Sequence, residues 1–460
     1  MIAPLRLSQR LGYAGGDLGF NLFFQTASLF LLFYYTEVMG LSPATGGWIF
    51  AAALAWDAIA DPVMGYIASR TRTRWGRYRP WLLFGTVPLG LSWMMVFVPT
   101  GFAGSALVAF ALGTHILFRT LYTVVSMPYL SLSAAMTSDS DERGTLAAYR
   151  MVVATATALV AALTTLQLVA VFGGGDAQRG WLAVAVLQAV IASAILLVCF
   201  ATTAEDPSVE PERTPTLREM IAMLRVNGAF WTVAAWLCLS SFASTLFGKT
   251  LPYLFKYGYG REGQIGTALA LIAATAMLAV PVWSRVMLRT SKRHVMVLGT
   301  CVTLTGYALF WLADGNRAMW AALTLLGIGG GAGALGFWAT IPDTVELGEF
   351  RSGVRAEGMT FGLISLVQKS ALGLSVGLLG EVLTAIGYVA NRPQSDAILA
   401  NMKLTMAIGP IVCAAAGLIL IRAYPIDARL HARLVRVLAR RRPRHRALSD
   451  QMHLTLGAAR

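Results

Sequence analysis

Two acidic residues inside one apolar segment offer the clearest chemistry in this sequence. Asp57 and Asp61 are four residues apart, so on a helix their carboxylates project from one face, one turn apart. Two like charges this close resist simultaneous ionisation unless a cation joins them. The pair therefore predicts a site for a proton or a sodium ion, with Asp57 and Asp61 as ligands. The plainer alternative is that Asp61 only pairs with the arginines of the loop that follows it.

Polar residues in two other apolar segments also fall on single helical faces. The first stripe consists of Asp17, Asn21, Gln25 and Ser28, and the second of His115, Arg119, Tyr122, Ser126 and Tyr129. An ionisable side chain inside a membrane helix costs about 2.5–3.5 kcal/mol, so it faces a water-filled cavity or a charged partner. We therefore expect the first stripe to line a solute cavity. Asn21, Tyr122 and Ser126 are candidate substrate contacts.

Three basic residues inside apolar segments need partners. Arg119 lies near the middle of its segment, and Asp17, Asp57 or an anionic substrate are the available choices. A permanent structural ion pair is an equally good interpretation of Arg119. Lys369 must likewise be paired or hydrated. Arg150 near the start of the fifth segment either faces the substrate or extends to the membrane surface.

These residues lie in a chain whose composition is that of a membrane protein. Its 460 residues are 56% hydrophobic and 13% charged, against about 25% charged in soluble domains. Twelve apolar segments are each long enough to cross a hydrocarbon core of about 30 Å, which predicts an all-α polytopic protein with 12 transmembrane helices embedded in the lipid bilayer. They are Leu11–Val38, Pro43–Ile67, Trp81–Val98, Ala106–Ala135, Ala147–Phe172, Gly180–Thr203, Phe230–Lys256, Ile265–Leu288, Val295–Ala313, Ala318–Thr340, Gly358–Val389 and Leu404–Ile421.

Positive charge predicts the orientation. The connector after the second segment carries five arginines between Arg70 and Arg79, and Arg422–Arg446 carries nine more. Basic connectors remain on the cytoplasmic side. We expect a multi-pass protein of the cytoplasmic membrane with both termini in the cytoplasm.

The longest connector divides the segments six and six. It spans 204–228 and contains a run from Pro211 to Pro215, which is typical of a linker. The second segment of each half also ends on a similar pattern, Pro62-Val63 before Arg70-Thr71 and Pro281-Val282 before Arg289-Thr290. Paired six-helix halves are typical of the major-facilitator fold. The predicted organisation is 1–203, a linker at 204–228, 229–422, and a basic tail at 423–460.

Several other classes of function are disfavoured. The net charge of +14 resides in connectors and the tail, so it does not form a nucleic-acid surface. No catalytic motif, phosphate-binding loop or metal-ligand cluster is present, so we expect neither an enzyme nor a cofactor. No obligatory protein partner is evident. Energy must come from an ion gradient, or transport is uncoupled.

Long stretches of the sequence resemble a known family. They include Tyr34–Glu37, Asp57–Pro62, Arg70–Trp81, Tyr122-Thr123, Gln368-Lys369 and Tyr424-Pro425. The chain is similar here to the glycoside-pentoside-hexuronide:cation symporter family, the major-facilitator group that includes melibiose permease. The resemblance spans nearly the whole chain and implies alternating access between two halves.

By position, the resemblance assigns roles to individual residues. Asp57, Asp61 and the Thr123 hydroxyl match the family's cation-binding positions. The sugar-pocket positions are matched by Asp17, Tyr122 and Arg150, and Lys369 matches a lysine near both sites. Ser126 stands where melibiose permease has a second sugar-binding aspartate, and Ala60 replaces an amide between the two carboxylates. These departures argue against galactoside specificity and favour a proton over sodium.

The leading hypothesis is symport of a sugar or glycoside with a proton or sodium. Loss of the aspartate at Ser126, together with buried Arg119, suggests an anionic solute such as a hexuronide. The alternatives are an exporter or a transporter of a lipid-like or anionic solute on the same fold, and a membrane sensor that does not transport.

Overall fold

Helices make up nearly all of the part of the chain that the structure describes. This computed structural model describes residues 5–137, 139–206, 217–312, 315–353, 357–426, 430, 433–434 and 436–438. Its thirteen α-helices are α1 Leu7–Glu37, α2 Pro43–Arg70, α3 Arg79–Val96, α4 Gly104–Met136, α5 Ser140–Gly173, α6 Ala177–Thr202, α7 Leu217–Val226, α8 Gly228–Tyr253, α9 Ile265–Arg289, α10 Lys292–Leu312, α11 Asn316–Ser352, α12 Glu357–Ala385 and α13 Asp396–Arg422.

Twelve of these helices coincide with the twelve apolar segments, and α7 is the additional one. Within the described residues, 11 helices are long and apolar enough to cross a membrane. The remaining long helix, α3, is not among these eleven. It begins with Arg79-Pro80 and contains Pro88, and these residues lower its mean hydropathy. The prediction of an all-α membrane protein is confirmed.

Several helices extend well beyond the apolar segment that predicted them. The helix α11 continues past Thr340 to Ser352 and ends where Gly353 adopts φ 72°, a left-handed conformation that suits glycine at a helix end. The helix α13 starts at Asp396, where the Ser395 side chain accepts a hydrogen bond from the N–H of Ile398. Hydropathy predicts the part of a helix that lies in lipid, and these helices extend past that part.

The short helix α7 lies inside the 204–228 connector and packs on the second half. Met223 is buried, and the Asn227 side chain donates a 2.8 Å hydrogen bond to the carbonyl of Thr344 in α11. The connector is thus held against α11 as it enters α8. Residues 207–216, including the proline-rich run, lie outside the described residues.

Contacts between helix ends define two faces of the molecule. Arg10 at the start of α1 pairs with Glu142 at the start of α5, 2.5 Å apart. Just after α6, Glu205 accepts three hydrogen bonds of 2.7–3.1 Å from the backbone N–H groups of residues 77–79. We call this end, which carries the arginine-rich α2–α3 connector, the basic face.

The other end, which we call the opposite face, joins the two halves. The Trp48 indole donates to the carboxylate of Glu381 at 2.7 Å, and the N–H of Ala44 donates to Thr384 at 3.2 Å. The start of α2 therefore lies beside the end of α12. By alternation α13 returns to the basic face, where Arg293 of α10 donates to the carbonyl of Arg422.

Glycines allow α2 and α12 to approach closely. A Cβ at Gly47 would lie 2.7 Å from the carbonyl oxygen of Val376, and one at Gly377 would lie 3.1 Å from the Trp48 ring. Small residues at such contacts are how helices associate in lipid, where apolar burial supplies no net driving force. The halves also meet where α5 packs on α9 and α8 on α1.

The start of the predicted basic tail packs on the second half. Tyr424, Ile426 and Leu434 are buried in a cluster with Phe230 of α8 and Ile341 of α11. The segment after α13 is therefore anchored at the basic face through its apolar side chains. Residues 427–429, 431–432, 435 and 439–460 of this tail lie outside the described residues.

Two adjacent glycines of α11 provide a test of the helix packing. A Cβ at Gly331 would lie 2.5 Å from the carbonyl oxygen of Ala276 in α9, whereas one at Gly330 would meet nothing within 4 Å. We expect Gly331→Ala to destabilise the protein by about 1–3 kcal/mol, because the backbones of α9 and α11 must move apart to make room for the methyl group. Gly330→Ala should be neutral or slightly stabilising, since alanine favours helix. Thermal unfolding of both variants in detergent checks this, and equal midpoints would contradict the packing of α9 on α11.

Candidate functional site

Two carboxylates and two cations meet between α2, α4 and α12. Arg119 Nη2 lies 2.7 Å from Asp57 Oδ2, and Lys369 Nζ lies 3.4 Å from the same oxygen. The Lys369 ammonium also donates to Asp61 Oδ2, while the Thr123 hydroxyl donates to Asp61 Oδ1 at 2.7 Å. We call Asp57, Asp61, Arg119 and Lys369 the ion quartet.

The ion quartet is balanced in formal charge but incompletely hydrogen-bonded. Asp57 is fully buried, and Arg119 is 3% exposed. Neither carboxylate oxygen of Asp57, nor Nε of Arg119, has a partner with hydrogen-bond geometry in the described structure. Asp57 is therefore held mainly by its ion pairs with Arg119 and Lys369 rather than by a full set of hydrogen bonds.

The quartet depends on the contact between the two halves. Asp57, Asp61 and Arg119 belong to α2 and α4 of the first half, and Lys369 belongs to α12 of the second. The side chains of Asp61 and Lys369 are 18% and 20% exposed, whereas that of Asp57 is not exposed at all. The pair formed by Asp61 and Lys369 is therefore the accessible part of the quartet.

Asp17 is the centre of a second polar cluster. Arg150 donates to Asp17 Oδ1 from Nε at 3.0 Å and from Nη2 at 2.9 Å, so its guanidinium faces the interior rather than the membrane surface. The amide of Asn21 donates to Asp17 Oδ2 at 3.1 Å. The Arg150 guanidinium also lies 5.3 Å from the Tyr129 ring centroid, a cation–π distance.

Tyr122 and Ser126 occupy the space beside these clusters. The Arg119 guanidinium of the ion quartet lies 5.8 Å from the Tyr122 ring centroid. Its ring packs edge-on against Phe20 of α1, with centroids 5.6 Å apart. The Ser126 hydroxyl is buried and has no hydrogen-bond partner among the described residues. The Tyr122 ring thus lies next to the ion quartet on one side and against α1 on another.

A cavity of about 520 Å³ lies between the halves, mainly against the second half. Of the polar stripe on α1, Gln25 reaches it, and Gln368 of α12 faces it beside the quartet lysine. No charged side chain lines this cavity in the described part of the chain. The charged residues selected from the sequence, and with them Asn21, Tyr122 and Ser126, therefore do not line this cavity.

The sequence analysis did not identify most of the polar residues that line this cavity. Its hydroxyls come from α8 and α10, and its broad aromatic surfaces from α8 and α11. These residues are Ser240, Ser241, Ser244, Thr300, Thr303, Trp236, Phe337 and Trp338. A four-residue spacing such as Ser240 to Ser244 was the available signal, because it places two hydroxyls on one helical face.

The sequence analysis also did not identify Lys249 of α8 as a buried basic residue. It is 6% exposed, its ammonium donates to the backbone carbonyl of Ser28 in α1, and it lies 4.7 Å from the Phe50 ring centroid. The signal was the one that selected Lys369, a lysine within an apolar segment. Lys249 forms a polar bridge between the halves.

Comparison with known proteins agrees with this architecture. The family described as MFS/sugar transport protein matches residues 12–428. The uncharacterized symporter YnaJ of Bacillus subtilis is 29% identical over 445 residues, 96% of each chain. The isoprimeverose transporter of Lactiplantibacillus pentosus is 29% identical over 457 residues, 96% of this chain and 93% of the relative.

A solved structure shows the same fold at low sequence identity. The D-xylose-proton symporter superposes with a TM-score of 0.66 at 13% identity, covering 89% of this chain and 96% of the other. The prediction of a twelve-helix major-facilitator fold in two halves is confirmed. Because the family match spans nearly all of the described helices, the chain belongs to the MFS/sugar transport protein family, in the group of glycoside, pentoside and hexuronide symporters that its motifs resemble.

Proposed function

We propose that the protein is a symporter that carries a neutral sugar or glycoside together with a proton or sodium ion. The observation that carries this proposal is the carboxylate pair of the ion quartet, in which Asp57 is buried and Asp61 is partly exposed, together with a cavity between the halves that no charged side chain lines among the described residues. The names of the relatives, a symporter and an isoprimeverose transporter, point in the same direction. Alternating access then moves ion and solute together.

The coupling ion binds at Asp57 and Asp61 with help from Thr123. Asp61 is reachable, the Thr123 hydroxyl retains free lone pairs, and both oxygens of Asp57 lack hydrogen bonds. Adding a cation to a neutral quartet would leave an excess positive charge in a poorly solvated place. The incoming ion therefore displaces Lys369 from Asp61, so that one cation replaces another.

The solute binds in the cavity beside the quartet. A volume of about 520 Å³ falls in the usual range for small-molecule sites, about 300–1,000 Å³. Serine hydroxyls and two glutamine amides suit sugar hydroxyls, while Trp236 and Trp338 suit the apolar faces of a sugar ring. On the first half, Gln25, Leu29, Ala158 and Ala162 line this cavity. The predicted contacts Asp17, Asn21, Arg150, Tyr122 and Ser126 do not line it, and their role in binding solute stays a prediction.

The cavity favours a neutral solute over a hexuronide. Arg119 is occupied by Asp57, and Arg150 by Asp17. An anionic substituent would find no unpaired cation on the described cavity wall, and burying an unpaired charge is costly. We therefore rank the hypothesis of an anionic solute, which was based on Arg119, below that of a neutral sugar or glycoside.

Sidedness follows from charge. The basic face is the cytoplasmic one, because arginine-rich connectors are retained there. The start of α1 and the end of α13 lie at that face, which gives both termini a cytoplasmic location in the inner membrane. The partners are the solute, the coupling ion and the bilayer.

Neutralising Asp57 tests the coupling assignment. We expect Asp57→Asn to lose gradient-driven accumulation and to retain exchange of solute across the membrane, since the cavity is unchanged. The measurement is uptake and counterflow of a transported glycoside in proteoliposomes. Asp61→Asn should give the same result. If Asp57→Asn does not fold because Arg119 has lost its partner, the Asp61 variant provides the test of coupling.

Asp176 provides the matched control. It is a half-exposed aspartate that caps α6 and pairs with Arg179, and asparagine caps a helix equally well. Asp176→Asn should accumulate solute like the unmodified protein. Accumulation by the Asp57 variant at the same level would overturn the assignment of the quartet to coupling.

Solute-induced pH change identifies the substrate pool and the ion. We expect neutral glycosides or pentosides to alkalinise a weakly buffered suspension of de-energised cells, whereas hexuronides should not. The physical reason is that symported protons leave the medium with the solute. Sodium-dependent uptake without alkalinisation would assign sodium instead. If no pool of solutes caused a pH change or sodium-dependent uptake, an exporter or a transporter of a solute other than a sugar would be favoured.

A further inference from the structure

A buried carboxylate outside the ion quartet lies at the opposite face, where the two halves meet. Glu37 is the last residue of α1 and is 7% exposed. Its Oε2 lies 2.6 Å from Lys256 Nζ and accepts a 2.6 Å hydrogen bond from the Tyr257 hydroxyl. Its Oε1 accepts from the Tyr388 hydroxyl, and its backbone carbonyl accepts from the Asn391 amide at 2.7 Å. We call these five residues the clasp.

All four partners of Glu37 come from the second half. Lys256 and Tyr257 lie in a π-helical turn, Leu254–Gly258, that follows α8. Such turns are rare and occur frequently at functional sites. Tyr388 and Asn391 follow the end of α12. One carboxylate of the first half thus joins two separate segments of the second.

The partners are also joined to one another. The N–H of Asn391 donates to the Tyr257 hydroxyl at 2.7 Å, and Lys256 donates to the Asn391 side chain at 3.2 Å. Asn391 has φ 56° and is the only non-glycine residue with positive φ among those described. That conformation costs free energy unless the surroundings require it. Lys256, Tyr257 and Asn391 therefore form one hydrogen-bonded network beside Glu37.

The clasp contains a charge that cannot be left unpaired in place. Bonds to ionised groups are about twice as strong as neutral ones, and a buried ion deprived of its partner is strongly destabilising. Separation of the halves at this face exposes both Glu37 and Lys256 to water, which solvates them again. The clasp thus has two acceptable states, closed and hydrated, which is what a gate requires.

We propose that Glu37 is the latch of the gate at the opposite face, and that its clasp sets the equilibrium between the closed and open states of this face during transport. The inference rests on the alternating access of the proposed function. It assigns a role to a residue outside the solute and ion sites. A permanent strut between the halves is the competing explanation, and it predicts a loss of stability without a change of state.

The test measures the distance between the halves without a transported solute and without an ion gradient. Spin labels are placed at Arg179→Cys, at the start of α6, and Arg317→Cys, near the start of α11, with the four native cysteines replaced by alanine. Both side chains are at the opposite face and are exposed. Double electron–electron resonance then gives the distance distribution of the full chain in lipid nanodiscs.

We expect Glu37→Gln to raise the population of a defined longer distance about tenfold, because the neutral amide loses the ion pair with Lys256 and the charge-assisted hydrogen bonds from the two tyrosine hydroxyls. Tyr388→Phe, which removes one donor and keeps the ion pair, should raise it less, and it serves as the test if the first variant does not fold. Glu142→Gln is the matched control. That glutamate pairs with Arg10 inside the first half and should leave the distribution unchanged.

An unchanged distribution in Glu37→Gln overturns the latch. So does a lower unfolding temperature without a longer-distance population, which is the signature of a strut. Neither result bears on coupling at Asp57, since the distance measurement uses neither solute nor gradient. Conversely, loss of the coupling assignment in the uptake experiment leaves the latch measurement intact.

Discussion

The neutral balance of the ion quartet is the constraint on which the rest of the arrangement depends. Asp57 is fully buried next to Arg119, and neither ion is acceptable alone in an apolar interior. Asp61 extends the balance to Lys369 of the second half. Charge neutrality is therefore complete only when α2 and α12 lie together. Any event that changes the charge at Asp61 changes the contact between the halves.

The α2–α12 pair transmits this constraint along the length of the membrane. Its glycines bring the two backbones together, Lys369 bridges them in the interior, and Trp48 bonds Glu381 near the opposite face. Lipid supplies little net force between helices, so polar contacts at the ends of this pair carry much of the preference for one state. On the proposed mechanism, ion binding weakens the contact between Lys369 and Asp61 while the clasp keeps the halves together at the opposite face. The two halves therefore rotate against each other rather than separate.

The sequence predicted the strongly local features well and the tertiary pairings poorly. Apolar length located the twelve long helices, and four-residue spacing selected Asp57 and Asp61 as neighbours. The partner of Arg119 stayed open, because Asp17 and Asp57 both lie in apolar segments and only the packing of α2 on α4 decides between them. The roles assigned to these residues remain predictions. The helix α7 was missed because it is too short and too polar for a hydropathy signal.

Placing the charges beside the cavity rather than on its wall has a functional consequence. Hydroxyls, amides and indole rings bind a sugar through many weak contacts, and replacing one hydroxyl by another costs little. Ion pairs inside the same cavity would attract water and charged solutes. No member of the quartet lines the cavity, so on the proposed function the ion acts on the solute through the position of α2 and α12 rather than by direct contact. The ion site and the solute preference can then diverge independently among proteins that share this fold.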